Sequence, residues 1–121
     1  MAPTIRVPDR LDEIIHVPTR LAIVTLLSQV EYAEFSFLRD HLQVTDGNLS
    51  SHLRVLEQAG YTEVTKEFVG RKPRTSYCLT PRGRAAFDAY LMTLQDVIRS
   101  AQRSQPTSQK NDLPGAGTEA S

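Results

Sequence analysis

Between positions 71 and 84 the chain carries five cations, Arg71, Lys72, Arg74, Arg82 and Arg84, and no acid. The chain as a whole has no net charge, so this cluster is a local feature. A basic cluster of this kind can meet phosphate even in a neutral protein. On charge alone, a solvated loop accounts for it equally well. A second set of side chains lies upstream. On a helical wheel at about 100° per residue, Gly47, Ser51, Arg54 and Gln58 share one side, with Asn48 and Val55 at its edge. Leu49, Leu53 and Leu56 fall opposite, and the acids Asp46 and Glu57 lie nearer that apolar stripe. A face that is polar, mostly short and armed with one long cation enters a major groove without steric or charge conflict. Arg54 can pair with guanine, Asn48 with adenine, and Ser51 with a base or a phosphate. The N-terminus of the same helix favours an anion.

Other chemistries find little support. The single cysteine, Cys78, excludes an internal disulfide and a multi-cysteine zinc site within one chain. It is read as a buried, inert residue of a strand, with oxidation sensing as the minor alternative. His16, His41 and His52 have no metal-ligand spacing, and His52 is placed against the protein or a phosphate. No Gly-rich phosphate loop, nucleophile elbow or HExxH pattern occurs. A catalyst would need dispersed residues to converge in the fold, so the chain is read as a non-enzyme with no cofactor and no metal. No apolar run approaches the roughly 18 residues of a membrane span, and the N-terminus lacks a signal-peptide core. The expected location is the cytoplasm, in association with the nucleoid.

These candidate side chains need elements to carry them. Asp9–His16 is expected as a short first helix, and Pro18 opens a second that ends near Val30. Residues 31–35 are a connector with room for a short strand. Ser36 is expected to cap a helix over 37–42, and Thr45 a helix over 46–59, with Gly60 as its terminator. Two helices across so short a turn form a helix-turn-helix pattern. The period then becomes alternating: residues 61–69 and 75–79 read as strands around a basic turn at 70–74. Thr80-Pro81 starts a last helix that runs to about Gln102. The fold class is therefore mainly α with a small β-hairpin wing (α+β). Residues 1–8 are expected to be loose, 9–102 to form one domain, and 103–121, with Leu113 as the single large aliphatic residue, to be a disordered tail.

A helix-turn-helix followed by a cationic two-stranded wing has few common explanations besides DNA binding. The chain resembles the winged helix-turn-helix transcriptional regulators of bacteria and archaea, close to the MarR and ArsR types. Pro18-Thr19-Arg20-Leu21 with Leu26-Leu27 is similar to the opening helix of the ArsR type. Thr45-Asp46-Gly47-Asn48-Leu49-Ser50-Ser51-His52-Leu53 is similar to the recognition helix, and Leu56-Glu57-Gln58-Ala59-Gly60-Tyr61 to its exit. Gly70-Arg71-Lys72-Pro73-Arg74-Thr75-Ser76-Tyr77 resembles the wing, and Leu79-Thr80-Pro81-Arg82-Gly83 the entry to the last helix. The resemblance implies a dimer, with recognition helices in successive major grooves and wings at the flanking minor grooves. The paired cysteines or His/Asp sets of metal-sensing ArsR proteins are missing, so a metal-sensing role is unsupported.

The expected DNA-binding residues are Thr45, Gly47, Asn48, Ser50, Ser51 and Arg54 of the recognition helix 46–59. Arg71, Lys72 and Arg74 of the wing 69–75 join them, with Lys66 and Thr75 touching phosphate from the hairpin stem. Arginine beside proline on a stiff tip suits a narrow minor groove. In the last helix, Phe87, Leu91, Leu94 and Ile98 form a heptad-like seam, with Tyr90 and Val97 beside it. Two apolar rows on a terminal helix are expected to serve a homodimer; one wide stripe facing the chain's own core is the competing account. The expected partners are double-stranded DNA with a palindromic operator, a second copy of the chain, and an unidentified small-molecule effector. The alternative function is a winged-helix module that binds another protein.

Overall fold

The structure, a computed structural model, describes residues 11–103. Its elements are α1 (Pro18–Leu27), β1 (Ala33–Glu34), α2 (Phe35–Leu42), α3 (Asp46–Gln58), β2 (Thr62–Val69), β3 (Lys72–Leu79) and α4 (Pro81–Arg103). The strands form one antiparallel sheet in the order β1-β3-β2. Four helices and this sheet are the expected α+β winged helix. The expected loose N-terminus and tail fall on residues outside the described ones, apart from Arg103, which closes α4.

Apolar spacing builds the core. Ile23, Val24 and Leu27 of α1 meet Leu38 of α2 and Leu49, Leu53 and Leu56 of α3, and all are nearly inaccessible to water. Tyr77 of β3 and Phe87 and Tyr90 of α4 close the cluster from the other side. Truncating one such leucine to alanine costs about 2–5 kcal/mol. That burial is what holds the outer face of α3 in position.

The expected helix over 9–16 is not formed by the described part of that segment. Residues 13–15 are a turn. The Asp12 carboxylate accepts the Ile14 N–H at 2.8 Å and the Ile15 N–H at 3.3 Å. An aspartate that satisfies these backbone donors offers the chain an alternative to the helix. The turn still buries Ile15 completely. The second helix ends at Leu27 rather than Val30, where the Ser28 hydroxyl donates to the Thr25 carbonyl at 2.6 Å.

Ser36 does not cap α2. The helix starts at Phe35, with extended Glu34 as its N-cap and no side-chain bond, because β1 runs directly into it. Thr45 does cap α3: its hydroxyl oxygen accepts the Asn48 N–H at 3.1 Å. Between the two helices Gln43 takes the left-handed conformation, φ 55°. A non-glycine residue seldom does so, and here it reverses the chain within the short turn. Gly60 ends α3 region at φ 81°, as expected.

The hairpin is longer and tighter than the sequence reading. β3 begins at Lys72, not Thr75, so that Val69 pairs with Lys72 across Gly70 and Arg71. Gly70, at φ 66°, occupies the first central position of this two-residue loop, where hairpin turns favour glycine. Pro73 pairs with Phe68. β1 reaches only Ser76 and Tyr77 on the other side of β3, so the missing N–H of Pro73 breaks no ladder there.

Candidate nucleic-acid interface

The buried Leu49, Leu53 and Leu56 turn the opposite side of α3 outward. Thr45, Gly47, Asn48, Ser50, Ser51 and Arg54 are all exposed. No atom lies within 4 Å of a Cβ built on Gly47, so this end of the helix is open. The acid at the start of the helix is paired. Arg39 of α2 binds Asp46 at 3.2 Å and Asp40 at 3.0 Å. The first of these bonds also ties α2 to the start of α3. Both carboxylates, Asp40 ahead of Asp46, raise the Arg39 pKa.

The strand register divides the wing residues between two faces. Direct cross-strand neighbours share a face, and successive residues alternate. Lys66 and Thr75 are neighbours, as are Phe68 and Pro73, on the face that carries Tyr77 into the core. Glu67 and Arg74 lie on the other face with Val69 and Lys72. Arg71 occupies the tip itself. Lys66, Arg71 and Lys72 are exposed, and among the described residues they and Arg54 make no ion pair. Arg74 differs. It sits below the tip, half-buried, 2.9 Å from Glu67 and 3.9 Å from Glu34. Its hydrogen bond to Glu67 raises its pKa. The structure therefore groups Arg71 and Lys72 at the tip, sets Lys66 and Thr75 on the stem, and commits Arg74 to holding the stem.

Sequence reasoning passed over two features. Phe68 is 73% exposed and Val69 51% exposed, so the basic tip also has an apolar surface. Their β-propensity masked this exposure. Arg20 of α1 reaches α3, where Nη1 lies 3.2 Å from His52 Nδ1. No sequence signal marks that contact.

The last helix divides along its length. Phe87 and Tyr90 are buried in the chain's own core, and the Tyr90 hydroxyl lies 2.8 Å from His16 Nδ1. Leu91 and Leu94 are partly buried against that core. Met92, Val97 and Ile98 are exposed. Cys78 is partly exposed, with its sulfur 3.9 Å from Glu63. No group of three or more potential metal ligands occurs among the described residues, and no described helix is long and apolar enough to cross a membrane.

The model of the winged helix DNA-binding domain family matches residues 19–98. An uncharacterized protein of Methanocaldococcus jannaschii is 35% identical over 83 residues, which are 69% of this chain and 90% of that protein. A transcriptional regulator homologue from Pyrococcus horikoshii OT3 is 34% identical, with a TM-score of 0.70 over 74% of this chain and 89% of that one. A protein of Enterococcus faecalis V583 described as a transcriptional regulator of the MarR family is 27% identical, with a TM-score of 0.66 over 74% of this chain and 81% of that one.

Proposed function

The chain belongs to the winged helix DNA-binding domain family, and on that premise we propose that it regulates transcription as a homodimer on a palindromic operator. The fold and its relatives are those of DNA-binding regulators rather than enzymes. One observation carries the finer reading. The outer face of α3 presents Arg54 and the wing presents Lys66 on its stem and Arg71 and Lys72 at its tip, all without an ion pair among the described residues, while the neighbouring acids Asp46 and Glu67 are held by Arg39 and Arg74. The exposed surface is thereby left with a positive balance beside short polar side chains, which is what a phosphate-lined groove selects.

In this reading α3 lies in the major groove. Arg54 and Asn48 read base edges, Ser51 a base or phosphate, and the open turn at Thr45, Gly47 and Ser50 faces the backbone. Arg71 and Lys72 reach the minor groove, and Lys66 and Thr75 contact phosphate. The second copy docks on the outer part of α4 through Leu91, Leu94, Val97 and Ile98, while Phe87 and Tyr90 support that surface from the core. Two-fold symmetry then sets half-sites about one helical turn, roughly 10–10.5 bp, or a multiple of it apart. A small-molecule effector belongs to the reading, with no residues assigned to it.

A second reading has its own support. The exposed Phe68 and Val69 suit a protein partner at the wing. Titration of labelled duplex DNA at rising salt separates the two. A DNA regulator loses affinity steeply with salt, whereas a module whose partner is protein does not bind the duplex at all.

A further inference from the structure

His52 lies on the flank of α3, one helical turn beyond Asn48, between the outward face and the buried leucines. Its Nδ1 is 3.2 Å from Nη1 of Arg20. The Arg20 Nε donates to the carbonyl of Ile14, so the guanidinium is anchored at both ends of its contact with the domain. A guanidinium has donors only and stays charged. Nδ1 of His52 must therefore be the acceptor, which leaves the ring neutral and its proton on Nε2. Desolvation first, then the charge of Arg20, push the His52 pKa down, in the direction that favours the neutral ring. Nε2 has no protein partner among the described residues, and it is absent from the buried side-chain atoms that lack one. It is thus a solvent-facing donor of fixed direction, carried on the wall of the helix.

We propose that Arg20 sets His52 as a neutral Nε2–H donor, and that this donor binds a DNA backbone phosphate beside the major groove entered by α3. The inference rests on the DNA-binding reading above and deepens it. A flank position fits the wall of a groove, where phosphates line the edge, rather than its floor, where bases are read. A phosphate oxygen is an acceptor, which is what an imidazole N–H requires. Because the ring is neutral, the contact displaces no counterion and adds affinity without adding to the salt slope. Arg20 is a positioning residue here: it acts through the tautomer of His52.

Two measurements test this. In the free protein, long-range proton–nitrogen NMR of the histidine rings should show His52 as the Nε2–H form, and Arg20→Gln should release it to a mixture of forms. A wild-type ring protonated on Nδ1 would overturn the proposal without any DNA. Fluorescence anisotropy with a short random-sequence duplex then tests the phosphate, since a backbone contact needs no operator. Glutamine can place its amide nitrogen near the position of Nε2, whereas asparagine can imitate only the Nδ1 side. His52→Gln should bind within about twofold of wild type, and His52→Asn roughly tenfold more weakly, at an unchanged salt slope. If Lys72→Ala weakens binding while His52→Asn binds like wild type, the phosphate assignment fails and the DNA reading stands. If wild type ignores the duplex even at low salt, both fall together.

Discussion

Arg74 and Glu67 face each other directly across the hairpin, with the guanidinium 2.9 Å from the carboxylate, and Glu34 of β1 stands 3.9 Å away on the same face. One cation of the basic segment is thereby used inside the protein. Lys72, two residues away on the same face, has no such partner among the described residues. The two substitutions should therefore differ. Lys72→Ala should weaken binding to all duplexes alike and reduce the dependence of log affinity on log salt by about one. Arg74→Ala should change that slope less and lower the thermal stability of the hairpin instead. Equal slopes for the two variants, measured by anisotropy at several salt concentrations, would contradict the assignment.

Arg54 should behave differently again. It is the one long cation on the outward face of α3, placed there by the leucine stripe opposite. Arg54→Ala should cost about 1–3 kcal/mol on the preferred sequence and relax discrimination at one base-pair position of each half-site. Sequence selection with the wild type and the variant would read this directly. Two identical motifs would place α3 outside the major groove.

Much of this was legible in sequence because the signals are local. The Leu49, Leu53 and Leu56 stripe, the Thr45 cap and the Gly60 terminator each depend on residues within a few positions, and α3 forms where they place it. The wing is legible as a hairpin, but composition makes its turn too wide. Arg71 to Arg74 look like loop by composition, and only pairing against β2 shows that Lys72, Pro73 and Arg74 belong to a strand. The Asp12 turn looks like a helix in sequence because its apolar residues have helical spacing, while the competing carboxylate bonds are side-chain events that periodicity does not register. The same limit hid the pairing of Arg20 with His52, and of Arg74 with Glu67: burial and distant partners decide which charges stay available.

Gly83 near the start of α4 offers a stability test. A Cβ there would lie 2.2 Å from the Tyr61 carbonyl oxygen and 2.9 Å from a Leu79 methyl. The carbonyl is backbone and also accepts the Thr80 N–H at 3.0 Å, so it cannot step aside cheaply. Gly83→Ala should destabilise the domain by about 1–3 kcal/mol, a drop of roughly 4–8 °C in Tm for each kcal/mol at this size. A thermal melt matching wild type would show that α4 does not sit this close to Tyr61.

The Tyr61 hydroxyl donates to the Asp12 carboxylate, joining the N-terminal turn to the base of the wing. Burial first, then this hydrogen bond and the Asp12 charge, push its pKa up to about 12 from an ordinary 10.0. A raised pKa means that the folded state holds the proton more tightly than the unfolded chain. This contribution to stability is therefore complete below pH 10.0 and is lost as the pH rises toward about 12. Denaturant midpoints should fall over that range in wild type, and Tyr61→Phe should remove that part of the decline. An equal alkaline decline in both proteins would remove Tyr61 as its source.

The outer part of α4 tests the oligomer. Ile98 is 46% exposed in the single chain, so a charge there leaves the domain's own core untouched. Ile98→Glu should sediment as a folded monomer with reduced affinity for a palindromic site, since one half-site contact is lost for each bound chain. A dimer that persists in this variant would move the interface elsewhere.

The central claim is met most directly by anisotropy of the purified protein against genomic fragments, beginning with its own promoter, at two salt concentrations. Selective binding that weakens steeply as salt rises is the predicted result. No binding to any duplex at low salt would contradict it and turn attention to a protein partner for the wing.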